Sequence, residues 1–168
     1  GDYLNDKNTL DEIKNYIFSN PSYDVYLSDV LICSEHPHFK RCRHYPCNVF
    51  TSSRMRFGIM PPHPAMFFKR EVHERLGLYS NNYQIAGDFD FIVRMFFVEG
   101  LTYITSNKVF IRMKSGGLSD KLASKVILQK ELLQVCRNWN IKTNHFFLLF
   151  RFLIKLPGSI PKLADFSS

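Results

Sequence analysis

The sequence predicts a domain of mixed α and β structure, an α/β fold with helices concentrated towards its C-terminal end. Two stretches, Asp24 to Cys33 and Leu101 to Met113, are dense in β-branched and aromatic residues, as strands are. Other stretches carry apolar residues at helical spacing. The clearest is Phe89, Ile92, Val93, Phe96 and Phe97, at i, i+3, i+4, i+7 and i+8. Glycines and prolines punctuate the boundaries between these segments. A chain of 168 residues suffices for one domain, which at this size buries roughly 70% of its unfolded surface.

Taken in order, Thr9-Leu-Asp-Glu12 reads as a capping box that opens a helix with the stripe Leu10, Ile13 and Ile17, ending near Asn20-Pro21. The strand from Asp24 follows. Ser34 to Pro46 is rich in Pro, His and Arg and is either a long loop or a ragged hairpin. Prolines hold Phe57 to Pro64 extended or turning, and Phe67-Phe68 lead into a short helix, Lys69 to Leu76, stopped by Gly77. The central helix begins at Gly87-Asp88 and ends at Gly100, where a left-handed cap is usual. Leu101–Thr105 and Val109–Met113 are expected to pair about a turn at Ser106-Asn107-Lys108. A glycine loop, Ser115 to Ser119, opens a helix from about Asp120 to Asn138, with Leu122, Val126, Leu133 and Cys136 turned inward. His145 to Leu156 is helical, too short to span a bilayer and suited to an interface.

Composition narrows the partners. The chain is 45% hydrophobic, which is ordinary, but its 16 Phe and 8 Tyr make it unusually aromatic. A formal charge of +7 suits nucleic acid, nucleotide-sugar phosphates or an anionic membrane face, and also serves solubility. The basic run Lys40-Arg-Cys-Arg-His44 lies beside Phe39 and Tyr45, yet no nucleic-acid module surrounds it, so nucleic acid is not the expected partner. Cys33, His36, His38, Cys42, His44 and Cys47 are six metal-ligand types at a spacing that matches no zinc finger or ribbon, and no structural zinc is expected. With no CxxC pair and no signal peptide, the cysteines read as reduced thiols in the cytoplasm.

Asp88 is the sharpest candidate for chemistry. At a helix start it meets free N–H groups and the positive end of the dipole, as a plain N-cap or as a placed functional acid. Asp90 is spaced to pair with Arg94 four residues on, and two carboxylates two apart do not share a helix face. Ser115-Gly116-Gly117-Leu118-Ser119, with Arg112 and Lys114 nearby, is suited to cradle phosphate on backbone N–H groups, although it lacks Walker or Rossmann spacing. His63, between prolines, is a ligand, a base or structural.

Three segments together resemble the C-terminal half of a bacterial family 2 glycosyltransferase of the GT-A fold, in the branch that builds capsule, colanic acid and O-antigen. They are Met60-Pro-Pro-His63 to Arg70; Leu76-Gly-Leu-Tyr79 with Ile85-Ala-Gly-Asp88-Phe-Asp90-Phe; and Arg112-Met-Lys-Ser-Gly116-Gly117-Leu-Ser119. The resemblance implies a mixed sheet flanked by helices, with residues 1–142 forming the acceptor side and 143–168 an amphipathic, membrane-associating tail. The opening Asp2 resembles the last acid of the family's Asp-x-Asp region, a candidate ligand for Mg2+ or Mn2+, with Gly1 where many relatives carry an acid. It also implies a preceding nucleotide-binding half of roughly a hundred residues.

By the same resemblance, Asp88 is the base of an inverting transfer from a nucleotide-sugar donor to a glycan or polyprenyl-linked acceptor. His63, Asp90, Arg112, Gly116, Gly117 and Ser119 are implied to bind substrate. The setting implied is the cytoplasm, at the inner face of the plasma membrane. A reading of another class is a non-catalytic, membrane-associated scaffolding fragment built on the aromatic basic tail.

Overall fold

The computed structural model describes residues 2–36, 39–115 and 122–154. Its strands are β1 (Tyr3–Leu4), β2 (Val25–His36), β3 (Phe39–Tyr45), β4 (Met66–Phe68) and β5 (Tyr103–Lys114). They form one open mixed sheet in the order β1-β5-β2-β3, with β4 also on β2. The central β2–β5 pair is parallel and the other pairs are antiparallel. Helices α1 (Thr9–Phe18), α2 (Arg70–Leu76), α3 (Gly87–Val93), α4 (Leu122–Asn138) and α5 (His145–Ile154) flank it. The fold is therefore α/β, as the sequence predicts.

Strand alternation divides the core into two layers. Val25 and Leu27 join the larger cluster with residues of α3 and α4, whereas Val30 packs with Ile13, Ala65, Phe110 and Ile111 beneath α1. Between them in sequence, Tyr26 meets Tyr16 of α1 edge-on at 5.8 Å. β4 covers Val25–Leu27 on one edge of β2 and β3 covers Val30–His36 on that same edge. Residues 46–65 leave this edge and return to it, and they carry His63.

Several expectations are corrected. Residues 103–114 are one strand, not a strand pair turning at Ser106–Lys108. The whole stretch pairs with β2, and the register steps from Ser28↔Ser106 to Asp29↔Val109, so Asn107 and Lys108 are absorbed as a bulge. A hairpin there would strand backbone groups of a buried central strand, which is costly. At α1 the N-cap is Asn8 and its side chain makes no capping bond; Thr9 lies inside the helix, its Oγ1 accepting from the Asp6 amide at 3.0 Å. The capping-box reading places that start one residue late, and Leu10 points to solvent. Val126, expected inward on α4, is also exposed.

Within the stretch from Ser34 to Pro46, residues 34–36 end β2 and residues 39–45 form β3, antiparallel to it in a register that sets Cys33 opposite Cys42. The two are joined as a disulfide, which overturns the reduced-thiol reading for this pair and takes two of the six candidate zinc ligands. Their spacing carries no local signal, because only the β2–β3 register brings them together. Cys47 and Cys136 are free and buried. Burial chiefly pushes the Cys47 thiol up to about 12, with Asp29 adding to it, and burial pushes Cys136 up to about 11. Neither is a ready nucleophile.

The central helix changes character partway. α3 gives way at Arg94 to a π turn, Arg94–Val98, before Gly100 turns left-handed at φ 61°. Phe89, Ile92, Val93 and Phe96 are buried as expected, but Phe97 is 46% exposed, since the wide turn rotates it off the apolar stripe.

Candidate active site

Asp88 lies in the first turn of α3 and is half-exposed, as is His63. The fold brings them together: His63 Nε2 stands 3.1 Å from Asp88 Oδ2. His63 is placed by a short 3-10 turn, His63–Ala65, whose Ala65 is locked into the core with Val30, Phe110 and Ile111. With Nε2 protonated, the imidazole donates to Oδ2 of the half-exposed carboxylate. The N-cap of α3 is Ala86 and Asp88 lies two positions inside the helix, so the plain N-cap reading does not describe it.

The acid two residues on behaves differently. Asp90 is buried, Arg94 Nε donates to its Oδ2 at 3.1 Å, and Trp139 Nε1 donates to its Oδ1 at 2.8 Å. The expected Asp90–Arg94 pair therefore exists, but inside the protein rather than on its surface. Asp90, expected to bind substrate, instead has both oxygens engaged by the protein. Arg94 passes the constraint on, donating to the carbonyls of Leu76 and, at 2.8 Å, Leu78. The loop after α2 is thus clamped to α3. A Cβ added to Gly87 would lie 3.5 Å from the Ser80 carbonyl oxygen, which shows how closely that loop meets the residue before Asp88.

This clamp sets an aromatic wall beside Asp88. Tyr79 stacks on Phe91 with ring centres 4.5 Å apart and planes 27° from parallel. His73 and Phe68 back Phe91 at 5.1 and 5.8 Å, and the Arg94 guanidinium lies 5.0 Å from the Phe91 ring centre. Partial burial raises the pKa of the Tyr79 phenol, the Asp88 charge raises it further, and Arg94 opposes them.

The segment that leads into α3 is held by a carboxylate far along the chain. Glu131, on α4, accepts from Gln84, Ile85 and Ala86 at 2.8, 2.9 and 2.8 Å. Burial alone would push its carboxyl up, but these N–H groups outweigh burial and hold it below 4.5. A lowered folded pKa means that the stabilisation is complete above the unfolded value and is lost as pH falls through the folded one. Glu131→Gln keeps one acceptor oxygen and is expected to cost about 1–2 kcal/mol at pH 7. In urea unfolding the difference from wild type should shrink as the pH is taken below about 4.3. A difference that stays constant with pH would contradict this role.

Of the remaining sequence-predicted site residues, the structure describes Arg112 and Asp2. Arg112 Nε donates to Asn5 Oδ1 at 2.7 Å where β1 pairs with β5, and no described contact joins it to the His63–Asp88 pair. Asp2 precedes β1 and is exposed. Gly116, Gly117 and Ser119 lie outside the described residues. Among the described residues no three of His, Cys, Asp or Glu converge as a divalent metal would require.

Tyr79, Glu131 and Trp139 do not stand out in the sequence as site residues. Tyr79 falls within a quoted motif but carries no role there, while Glu131 and Trp139 act on residues about fifty positions away. Searches against protein-family models and against curated proteins return no match to this chain.

Proposed function

We propose that this chain is part of an inverting glycosyltransferase of GT-A type, with Asp88 as the general base. The observation that carries the reading is the His63–Asp88 pair. The resemblance names both residues from separate motifs 25 positions apart, and they lie 3.1 Å from each other on an exposed face. In the reaction an acceptor hydroxyl oxygen attacks the anomeric carbon, and its proton passes to Asp88 as the new C–O bond forms. The bond to the nucleoside diphosphate breaks at the same time, its electron pair leaving on the phosphate oxygen. His63 holds one oxygen of Asp88, which fixes the carboxylate for that transfer. Asp90 and Arg94 act one step back, as positioning residues.

The test is transfer of sugar from a panel of nucleotide-sugar donors to lipid-linked and free glycan acceptors. It is run on this chain and on the full reading frame that encodes it. Transfer that requires Asp88 supports the reading, and the absence of donor-dependent transfer in the full frame rejects it.

The acceptor class brings in the membrane. Among the described residues no helix is long and apolar enough to cross one. α5 instead has two apolar sides. Leu148 is buried and Phe147 packs on Phe57 at 5.4 Å, while Phe146, Leu149 and Phe150 are 84%, 52% and 48% exposed. These three are spaced i, i+3, i+4 and form an outward stripe suited to the inner, anionic membrane surface that presents a polyprenyl-linked acceptor. Phe147 is taken up by the domain itself, and Phe150 also reaches the Phe57 ring at 6.0 Å, so only its exposed part joins the stripe. Vesicles containing phosphatidylglycerol should co-sediment the protein, and Phe146→Ser with Leu149→Ser should lower the bound fraction severalfold. Equal recovery in the supernatant with and without vesicles would reject the docking.

A further inference from the structure

The wall beside the His63–Asp88 pair has a use that the transfer chemistry alone does not assign. Tyr79 has one face on Phe91, which is fully buried, and is itself 44% exposed, so its second face looks out of the protein. Leu78 next to it is 80% exposed. The loop that carries both is not free to drift: Arg94 donates to the Leu76 and Leu78 carbonyls, Asp90 holds Arg94, and Trp139 holds Asp90 in turn. The result is an outward aromatic face held rigidly beside a half-exposed carboxylate and an imidazole.

We propose that Tyr79 is the stacking platform for a pyranose ring of the acceptor, forming with Asp88 and His63 a saccharide subsite. The proposal rests on the glycosyltransferase reading for the word acceptor, but the subsite itself rests on the arrangement of side chains. A pyranose has a face of C–H groups that packs on an aromatic ring and a rim of hydroxyls that bond carboxylate and imidazole. The same ring face would also take a nucleotide base, but the charge here argues against it. Asp88 repels phosphate, and Arg94, the cation that lies against the Phe91 ring, is engaged by Asp90 and the loop carbonyls. A neutral polyhydroxyl ring meets no such penalty. Stacking would also orient a hydroxyl towards Asp88, which a weakly basic carboxylate needs if proton removal is to keep pace with bond formation.

The test uses the whole chain and a panel of methyl pyranosides of glucose, galactose, mannose and N-acetylglucosamine, with binding read by saturation-transfer NMR. At least one should bind, with the strongest transfer on the hydrogens of one ring face. Tyr79→Phe should keep the affinity within about threefold, because the ring remains. Tyr79→Leu should weaken it roughly 10-fold or more, consistent with the worth of an aromatic contact. Thermal unfolding of both variants controls for the loss of packing on Phe91. In the transfer assay, Tyr79→Leu should raise the acceptor KM by a similar factor and leave the donor KM unchanged.

Pyranoside binding that is indifferent to Tyr79→Leu, or no binding by any of the four, overturns the platform. Transfer that depends on Asp88 but has an unaltered acceptor KM in Tyr79→Leu also overturns it, and leaves the transferase reading standing. Tyr79-dependent saccharide binding without any transfer has the reverse meaning: the subsite stands and the transferase reading falls.

Discussion

Asp88→Asn is expected to lower sugar transfer by about 10²–10⁴-fold, the usual worth of general-base catalysis, with donor affinity and folding preserved. The substitution keeps the side-chain shape and removes only the proton acceptor. Stability should barely change, for two reasons on the molecule itself. The N-cap position of α3 is Ala86, not Asp88, and the Ala86 amide is held by Glu131 from α4. Its pair with His63 is half-exposed on both sides, and such pairs contribute between about 0 and 1 kcal/mol. Transfer rates with saturating acceptor, read beside thermal unfolding, separate chemistry from folding. An Asp88→Asn protein that keeps most of its turnover is incompatible with Asp88 as the base.

Asp90→Ala should act the other way, on the fold. Spacing alone suggests an exposed i,i+4 pair worth about half a kilocalorie per mole. In the folded protein Asp90 is buried, and its removal leaves the Arg94 guanidinium, whose side chain is 12% exposed, without its counter-charge. Breaking such a pair typically costs about 3–5 kcal/mol. For a domain of this size that corresponds to a drop in Tm of roughly 6–20 °C. Asp90→Asn should be milder, because it can still accept from Trp139. Urea unfolding of the two variants measures both, and a loss under about 1 kcal/mol in Asp90→Ala would show that Arg94 finds other support.

Much of the architecture was legible in local pattern. The strand from Asp24, the short helix stopped at Gly77, the central helix with its Gly100 cap and the α4 and α5 helices all follow from apolar spacing and glycine placement. Asp88 and His63 could be singled out because each sits in a distinctive local context. What eluded the sequence depends on partners far along the chain. Ser106-Asn107-Lys108 has the residues of a turn, and only the parallel neighbour β2 makes it a bulge. Cys33 and Cys42 become a pair only through strand register. Spacing shows Asp90 its Arg94 partner but not its second partner, Trp139, which is 49 positions away. Glu131 reaches α3 across 45 to 47 positions and leaves no mark in its own neighbourhood.

The π turn at Arg94–Val98 has a consequence for how this helix tolerates change. A regular helix ties its two ends into one rotational phase, so any shift at one end swings the other. The wider turn inserts a phase step between them. Upstream of it, the rotation that sends Asp88 outward and Asp90 inward is fixed by the clamp on the Leu76–Leu78 loop. Downstream, the positions of Phe96 and Leu101 are fixed by the core. Each half can therefore settle against its own neighbours without a compromise in shared phase. The end of the helix that carries Asp88 is insulated from the way its far end is packed.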